Sequence, residues 1–324
     1  MDECVEWPGR NAEKLKLRNA EKGGTVAEIG ADKPRTYREL VRRLRWQRFD
    51  LAILLPNSFR AALIARLSGA KRRIGYDRDG RGFLLTDRIP VKNRRSGQGS
   101  AKRTLRSHDP SVASWLRGSV ASIQMGTKLP VRLGRYVPMP LVEYYADLAE
   151  AVGCERPGDR LELFTTPDCD ESIQNRLSSL GIADRHPLIV ISPGAKFGAS
   201  KCWLPERFAA VADHLIESEG ATVIVTCGPG EESIARAIGK AMKQCGFLFD
   251  SPLLTLGELK SLVRRSDLLI CNDAGPRHIA KAFDVPVVAV FGPTHPDWTS
   301  TSYRDERIVR IDVDCGPCQQ RVCP

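Results

Sequence analysis

From residue 188 to residue 292 the chain repeats one unit: a short apolar run ending in glycine or a polar residue, then a stretch of helical periodicity. LIVIS (188–192) precedes PERFAAVADHLIES (205–218), ATVIVTCG (221–228) precedes EESIARAIGKAMKQ (231–244), and DLLICND (267–273) precedes PRHIAKAF (276–283). LGELKSLVRRS (256–266) adds a helix and VPVVAVFG (285–292) a closing strand. Runs that are apolar at nearly every position belong to strands covered on both faces, and such strands form parallel sheets. Strands alternating with helices make a doubly wound α/β domain, whose ligands bind beyond the carboxyl ends of its strands. The polar and glycine residues of this half gather just there.

The first half carries a shorter version of the same pattern. TYRELVRRLRWQRF (36–49) sets Leu40, Leu44 and Phe49 near one helical face and runs into DLAILLP (50–56), a buried-strand candidate stopped by Pro56. Asn57 and Ser58 can cap the helix FRAALIARLSG, which ends at Gly69, and KRRIGY (71–76) is a second strand candidate. Residues 1–35 hold no convincing first strand and stay unassigned. Residues 92–135 are basic, rich in Gly and Ser and poor in apolar residues. An exposed, poorly ordered excursion is expected over 93–129, with one short helix near 111–122. LVEYYADLAEAVG (141–153) resumes as an amphipathic helix, and 154–168 reads as a connection. The expected division is a first domain over 1–160 and a second over 161–324, a reasonable partition of 324 residues.

Charge separates the halves. Residues 1–150 carry a net charge of +14 and residues 151–324 a net of −4. A basic half suits an anionic partner: phosphorylated glycan, anionic lipid or nucleic acid, with a plain solvated surface as the alternative. Nucleic acid rests on this charge alone, because no stacking motif of interleaved aromatics accompanies it. The N-terminus Met1-Asp2-Glu3-Cys4 is no secretory signal, and no apolar run approaches the ~20 residues of a membrane span. The expected location is the cytoplasm.

Three strand-end loops carry chemistry. The first runs from Ser192 through Gly194 and Lys196 to Lys201 and Trp203. Small residues let backbone N–H groups approach phosphate oxygens and a lysine neutralises them, although the P-loop spacing is absent. A loop with solvated lysines remains open as a second reading. The next loop, Cys227-Gly228-Pro229-Gly230-Glu231, places an acid after a glycine turn. That acid either grips a ribose or answers the dipole of the following helix. The last, Asn272-Asp273-Ala274-Gly275-Pro276-Arg277-His278, turns tightly into a helix whose free N–H groups make an anion site. His278 either reaches that anion or is a structural histidine.

Taken in order, these segments resemble glycosyltransferase family 9, the bacterial lipopolysaccharide heptosyltransferases. Asp273–His278 resembles the family's D-[S/T]-G-x-x-H signature, with Ala274 in the hydroxyl position. Ser200-Lys201-Cys202-Trp203-Leu204-Pro205 resembles its S-K-x-W-P segment, and VPVVAVFGPTHPDWT (285–299) its strand and G-P-T/S-x-P-x-x-W loop. Residues 50–58 and 71–76 are similar to the middle of its first domain. CGPCQQRVCP (315–324) is similar to the tail of the ADP-heptose transferase II branch.

The resemblance implies a GT-B fold of two Rossmann-like domains facing across a cleft, the N-terminal one incomplete here. It implies inverting, metal-independent transfer of heptose from a nucleotide sugar such as ADP-heptose to the lipopolysaccharide inner core. The C-terminal domain would hold the donor and the N-terminal domain a lipid-linked acceptor, with no further cofactor and no nucleic acid. The implied setting is the cytoplasmic face of the inner membrane. The donor residues would be Ser192, Gly194, Lys196, Lys201, Gly228, Glu231, Asp273, Ala274, Gly275, Pro276 and His278. Asp273, being anionic, would order the loop or meet sugar hydroxyls. The family's opening strand and Gly-Asp loop, source of its general base, has no match in residues 1–35: Asp2 follows no strand and Asp32 no apolar run. The chain therefore reads as truncated at both ends, and a noncatalytic donor-binding protein is the alternative. Cys315, Cys318 and Cys323 lack a fourth ligand and read as free thiols, not a zinc site.

Overall fold

The computed structural model describes residues 36–91 and 138–323. The expectations for 1–35, 93–129 and the helix near 111–122 lie outside these residues. The described residues divide into two compact units, one containing 36–91 with Tyr145–Pro157, the other Gly158 onward with 138–144.

The first unit opens with α1 (Tyr37–Gln47), whose N-cap Thr36 accepts a bond from Glu39 N–H through its side chain. Strand β1 (Leu51–Ile53) leads to α2 (Phe59–Leu67), capped by Ser58 onto Ala61 N–H. Then come β2 (Arg72–Tyr76) and β3 (Asp87–Ile89), in a parallel sheet of order β1-β2-β3. Asp-Arg-Ile is too short and too charged to announce β3, which is held by its register with β2. Arg81 is buried beside this sheet and donates to the main-chain oxygens of Tyr76 and Pro56 and to Asn57 Oδ1. Three acceptors for one guanidinium satisfy a charge that would otherwise be costly to bury. Helix α3 (Leu141–Ala151) carries Asp147, whose Oδ2 accepts 2.8 Å from Tyr76 Oη.

The second unit begins with α4 (Pro167–Ser179), missing from the sequence expectation. Its composition, PDCDESIQNRLSS, is polar, and only Ile173 and Leu177, one turn apart, are buried. Pro167 in the first turn and Asp168 and Asp170 beside it supply the start signals instead. Five elements match the expected ones within a few residues: β4 (Leu188–Ser192), α5 (Pro205–Glu219), β5 (Thr222–Thr226), α6 (Glu232–Ala241) and α7 (Leu256–Arg265). Between α6 and α7 lies an unexpected edge strand, β6 (Phe247–Phe249). β7 (Leu268–Asn272), α8 (Gly275–Ala282) and β8 (Val287–Val290) follow as expected, and β9 (Glu306–Val309) was not foreseen.

All six strands are parallel, in the order β6-β5-β4-β7-β8-β9. In chain order this is 3-2-1-4-5-6, the Rossmann arrangement, with its reversal between β4 and β7. The two faces explain the continuous apolar runs. Leu188 and Val190 pack with Ile173, Leu177 and Leu262, while Ile189 and Ile191 pack with Phe208, Ala235 and Ile238. Successive side chains thus enter opposite cores, as the strand period requires. Asp213, buried on α5, accepts from Lys243 and Gln244 N–H in the turn just beyond α6.

Candidate functional site

Ser192 ends β4 and Asn272 ends β7, so both stand at the reversal of strand order. Asn272 is fully buried and ties the loops together. Its Nδ2 donates to Pro193 O and its Oδ1 accepts from Trp203 N–H at 3.1 Å. Trp203 then meets Phe208 edge-on, centroids 5.1 Å apart, which anchors the lysine loop to the first turn of α5. Between these anchors the chain makes a short 3-10 turn, Ala199–Lys201.

That turn delivers Lys201 to the head of α8. Its Nζ lies 2.6 Å from Asp273 Oδ2 and donates to Asp273 O at 3.0 Å. Asp273 also accepts from Thr294 Oγ1 at 2.7 Å, and Arg277 Nη1 stands 3.4 Å from its Oδ1. Burial alone would raise the carboxyl's pKa. The bonds from Lys201 and Thr294 and the charges of Lys201 and Arg277 outweigh it, leaving Asp273 below the usual aspartate range.

Behind Asp273 lies a buried ionic cluster that sequence reasoning missed. Arg277 is fully buried and pairs through Nε with Glu306, donates from Nη1 to Thr299 Oγ1 at 2.6 Å, and faces the Phe291 ring at 4.9 Å. Lys281 Nζ lies 2.7 Å from the other oxygen of Glu306. Arg277 and Lys281 are four residues apart, so one helical face carries both. That spacing is the only signal in the sequence, and elsewhere it marks a solvated face. Glu306 opens β9 and reads as an ordinary surface acid. With Lys201, Asp273, Arg277, Lys281 and Glu306 all ionised, the cluster carries one positive charge in excess. Arg277 Nη2 is buried and has no hydrogen-bond partner among the described residues.

The other expected residues fall as follows. Ala274 caps α8 in an extended conformation, Gly275 is exposed at the first helical position, and Pro276 follows it. His278 is half-buried; burial, with the charges of Arg277 and Lys281, pushes its pKa down to about 4, so at neutral pH it is uncharged. Glu231 lies over Gly194 and accepts from Gly228 N–H at 3.1 Å, so the β4 and β5 loops meet. Lys196 is exposed and stands outside this knot of bonds. A cavity of about 260 Å³ is lined by Lys201, Asp273, Thr294, His295, Trp298 and Gln319, among others. No group of His, Cys, Asp and Glu able to hold a metal occurs among the described residues, and their cysteines, Cys315, Cys318 and Cys323 included, are free.

The model of the family described as glycosyltransferase family 9 (heptosyltransferase) matches residues 37–107 and 134–324. The chain belongs to that family. Among curated relatives, lipooligosaccharide heptosyltransferase 2 of Campylobacter jejuni (strain 81116) is 32% identical over 141 residues, 42% of this chain and 44% of that protein. Lipopolysaccharide heptosyltransferase 2 of Escherichia coli K12 is 25% identical over 280 residues, 85% of this chain and 68% of that protein. The chain thus spans less than half of the first of these relatives. The solved structure of E. coli ADP-heptose lps heptosyltransferase II superposes with a TM-score of 0.58 at 24% identity, covering 85% of this chain and 72% of that one. The fold is therefore the family's α/β GT-B class, built from parallel, Rossmann-like sheets. Among the described residues no helix is long and apolar enough to cross a membrane.

Proposed function

We propose that the chain is a glycosyltransferase that holds a nucleotide-sugar donor at the carboxyl edge of the second unit. The donor is an ADP-heptose and the acceptor the lipopolysaccharide inner core. The observation that carries this reading is the Lys201–Asp273 pair at the head of α8, at the reversal of strand order and beside a cationic excess. Lys201 and the dipole at the head of α8 supply positive potential where a diphosphate would sit; Gly275 offers the leading N–H there, since Pro276 has none and Arg277 N–H donates to Ala274 O. Glu231, where the β4 and β5 loops meet, would take a ribose hydroxyl, and Asp273 would keep Lys201 in position. The choice of donor and acceptor is supported by the solved E. coli ADP-heptose lps heptosyltransferase II and the lipopolysaccharide heptosyltransferases among the relatives.

Transfer would proceed with inversion. The acceptor hydroxyl oxygen bonds to the anomeric carbon, and its proton passes to a base. The bond from that carbon to the diphosphate oxygen breaks, and the diphosphate leaves with the electron pair. Charge grows on the leaving oxygens, so preformed cations and helix dipoles stabilise the transition state more than the ground state. This is the task a metal performs elsewhere, and Lys201, the α8 dipole and the cationic excess suit it. A basic first unit suits a phosphorylated, membrane-borne acceptor at the cytoplasmic face of the inner membrane.

The test is transfer by the purified chain from ADP-heptose to heptose-free inner core. ADP release matched by a mass gain of one heptose per acceptor supports it. ADP-heptose binding with no transfer would leave a donor-binding protein without catalysis, and neither binding nor transfer would refute both.

A further inference from the structure

The tail after β9 is fastened to the loop that carries Lys201. Ser200 donates from Oγ to Gln320 O at 2.6 Å and from N–H to Arg321 O at 3.3 Å. Gly198 has φ 153°, and a side chain there would begin 2.3 Å from Arg321 O, so the approach needs glycine. The Phe197 ring lies 5.6 Å from the Arg321 guanidinium and 5.0 Å from Lys201 Nζ. One residue earlier, Gln319 N–H donates to Pro293 O at 2.9 Å, with a left-handed backbone at φ 59°. Gln319 and Lys201 are therefore two projections of one bonded piece, and both line the 260 Å³ cavity.

The cavity falls below the ~300 Å³ at which small-molecule clefts usually begin, so it suits one sugar ring rather than a whole nucleotide sugar. Its walls differ in character. Lys201 brings charge, Trp298 an aromatic body, and Gln319 a neutral amide. An amide offers acceptor and donor side by side, which a pair of neighbouring hydroxyls uses in full, whereas a phosphate, which only accepts, uses the donor alone. Phosphate recognition has Lys201 and the head of α8 already.

Resting on the donor-site reading above, we infer that Gln319 determines sugar specificity: its amide reads hydroxyls of the donor's glycosyl group, leaving the nucleotide to other residues. Donor recognition would then be divided, with the diphosphate read by Lys201 and the sugar read from the tail.

Calorimetric titration of the full chain with ADP and with ADP-heptose tests this, using Gln319→Gly and Gln319→Asn. Glycine removes the amide and keeps the left-handed backbone without strain; asparagine also tolerates that backbone but shortens the reach. The inference expects Gln319→Gly to weaken ADP-heptose binding about tenfold, the worth of one or two hydrogen bonds, while ADP binding and the melting temperature hold. Gln319→Asn should lose sugar affinity in the same selective way. Equal losses for both ligands, no loss for either, or equal affinity of the unaltered chain for ADP and ADP-heptose would overturn it with the donor site intact. Binding of neither ligand by the unaltered chain would overturn the donor-site reading, and the inference with it.

Discussion

Lys201 and Asp273 come from different strand-end loops, 72 residues apart in the chain, and close on each other at 2.6 Å, with a second bond from Nζ to the main-chain oxygen of Asp273. Both side chains are largely shielded from water. The lysine is thus held by the loop it serves and presents its charge to whatever occupies the head of α8.

Replacing Lys201 by alanine should therefore act on binding more than on folding. Asp273 keeps Thr294 and Arg277, so the stability loss should stay within about 1–3 kcal/mol. Affinity for ADP should fall by about tenfold or more, since a charge-assisted contact to phosphate is removed. Paired denaturant melts and ADP titrations check this; a variant that binds ADP like the unaltered chain would exclude Lys201 from the site.

Glu306 is the counterpart case. It answers both Arg277 and Lys281, and Glu306→Gln would leave two buried cations without their carboxylate. A loss of about 3–5 kcal/mol is expected, because breaking a buried pair strands its partner. Asp305→Asn, the matching neutralisation at its neighbour in sequence, should cost far less. Urea midpoints of the two variants decide between a buried network and an ordinary surface acid.

Gly292 lies two residues beyond β8, where Ser200 O passes. A side chain there would begin 2.6 Å from that oxygen, a backbone atom unable to swing aside. Gly292→Ala should push the lysine turn outward and weaken ADP binding, with a smaller effect on the melting temperature. An unchanged ADP affinity would mean that the turn's position is unimportant.

Acid should destabilise the second unit through His278. Its folded pKa is about 4 against an ordinary 6.5, so the unfolded chain takes up a proton first as pH falls. The stability this contributes is full above pH 6.5 and is lost progressively down to about pH 4, at no more than about 1.4 kcal/mol per unit. Asp273, held below its usual range, adds a loss of the same sign at still lower pH. Melts at pH 7 and pH 4.5 should show a steeper decline for the unaltered chain than for His278→Gln.

The second sheet was legible in the sequence because its strands are buried on both faces. LIVIS and TVIVT are buried at every position and apolar through their middles, so the pattern survives without a structure. β6 and β9 escaped because they are edge strands of three and four residues, the latter beginning with Glu306. α4 escaped because its buried face is two residues wide. The loops of the candidate site could be named from glycines, lysines and strand ends. Their connection could not: Asn272 joining two loops, or Arg277 and Lys281 converging on Glu306, depends on the sheet order, which brings together segments far apart in the chain.

A crystal structure of the chain with ADP tests the central claim most directly. The diphosphate is expected at the head of α8, its oxygens within about 3 Å of Lys201 Nζ and of the Gly275 N–H, with the ribose toward Glu231. Ordered ADP elsewhere on the molecule, with Lys201 still turned wholly to Asp273, would contradict it.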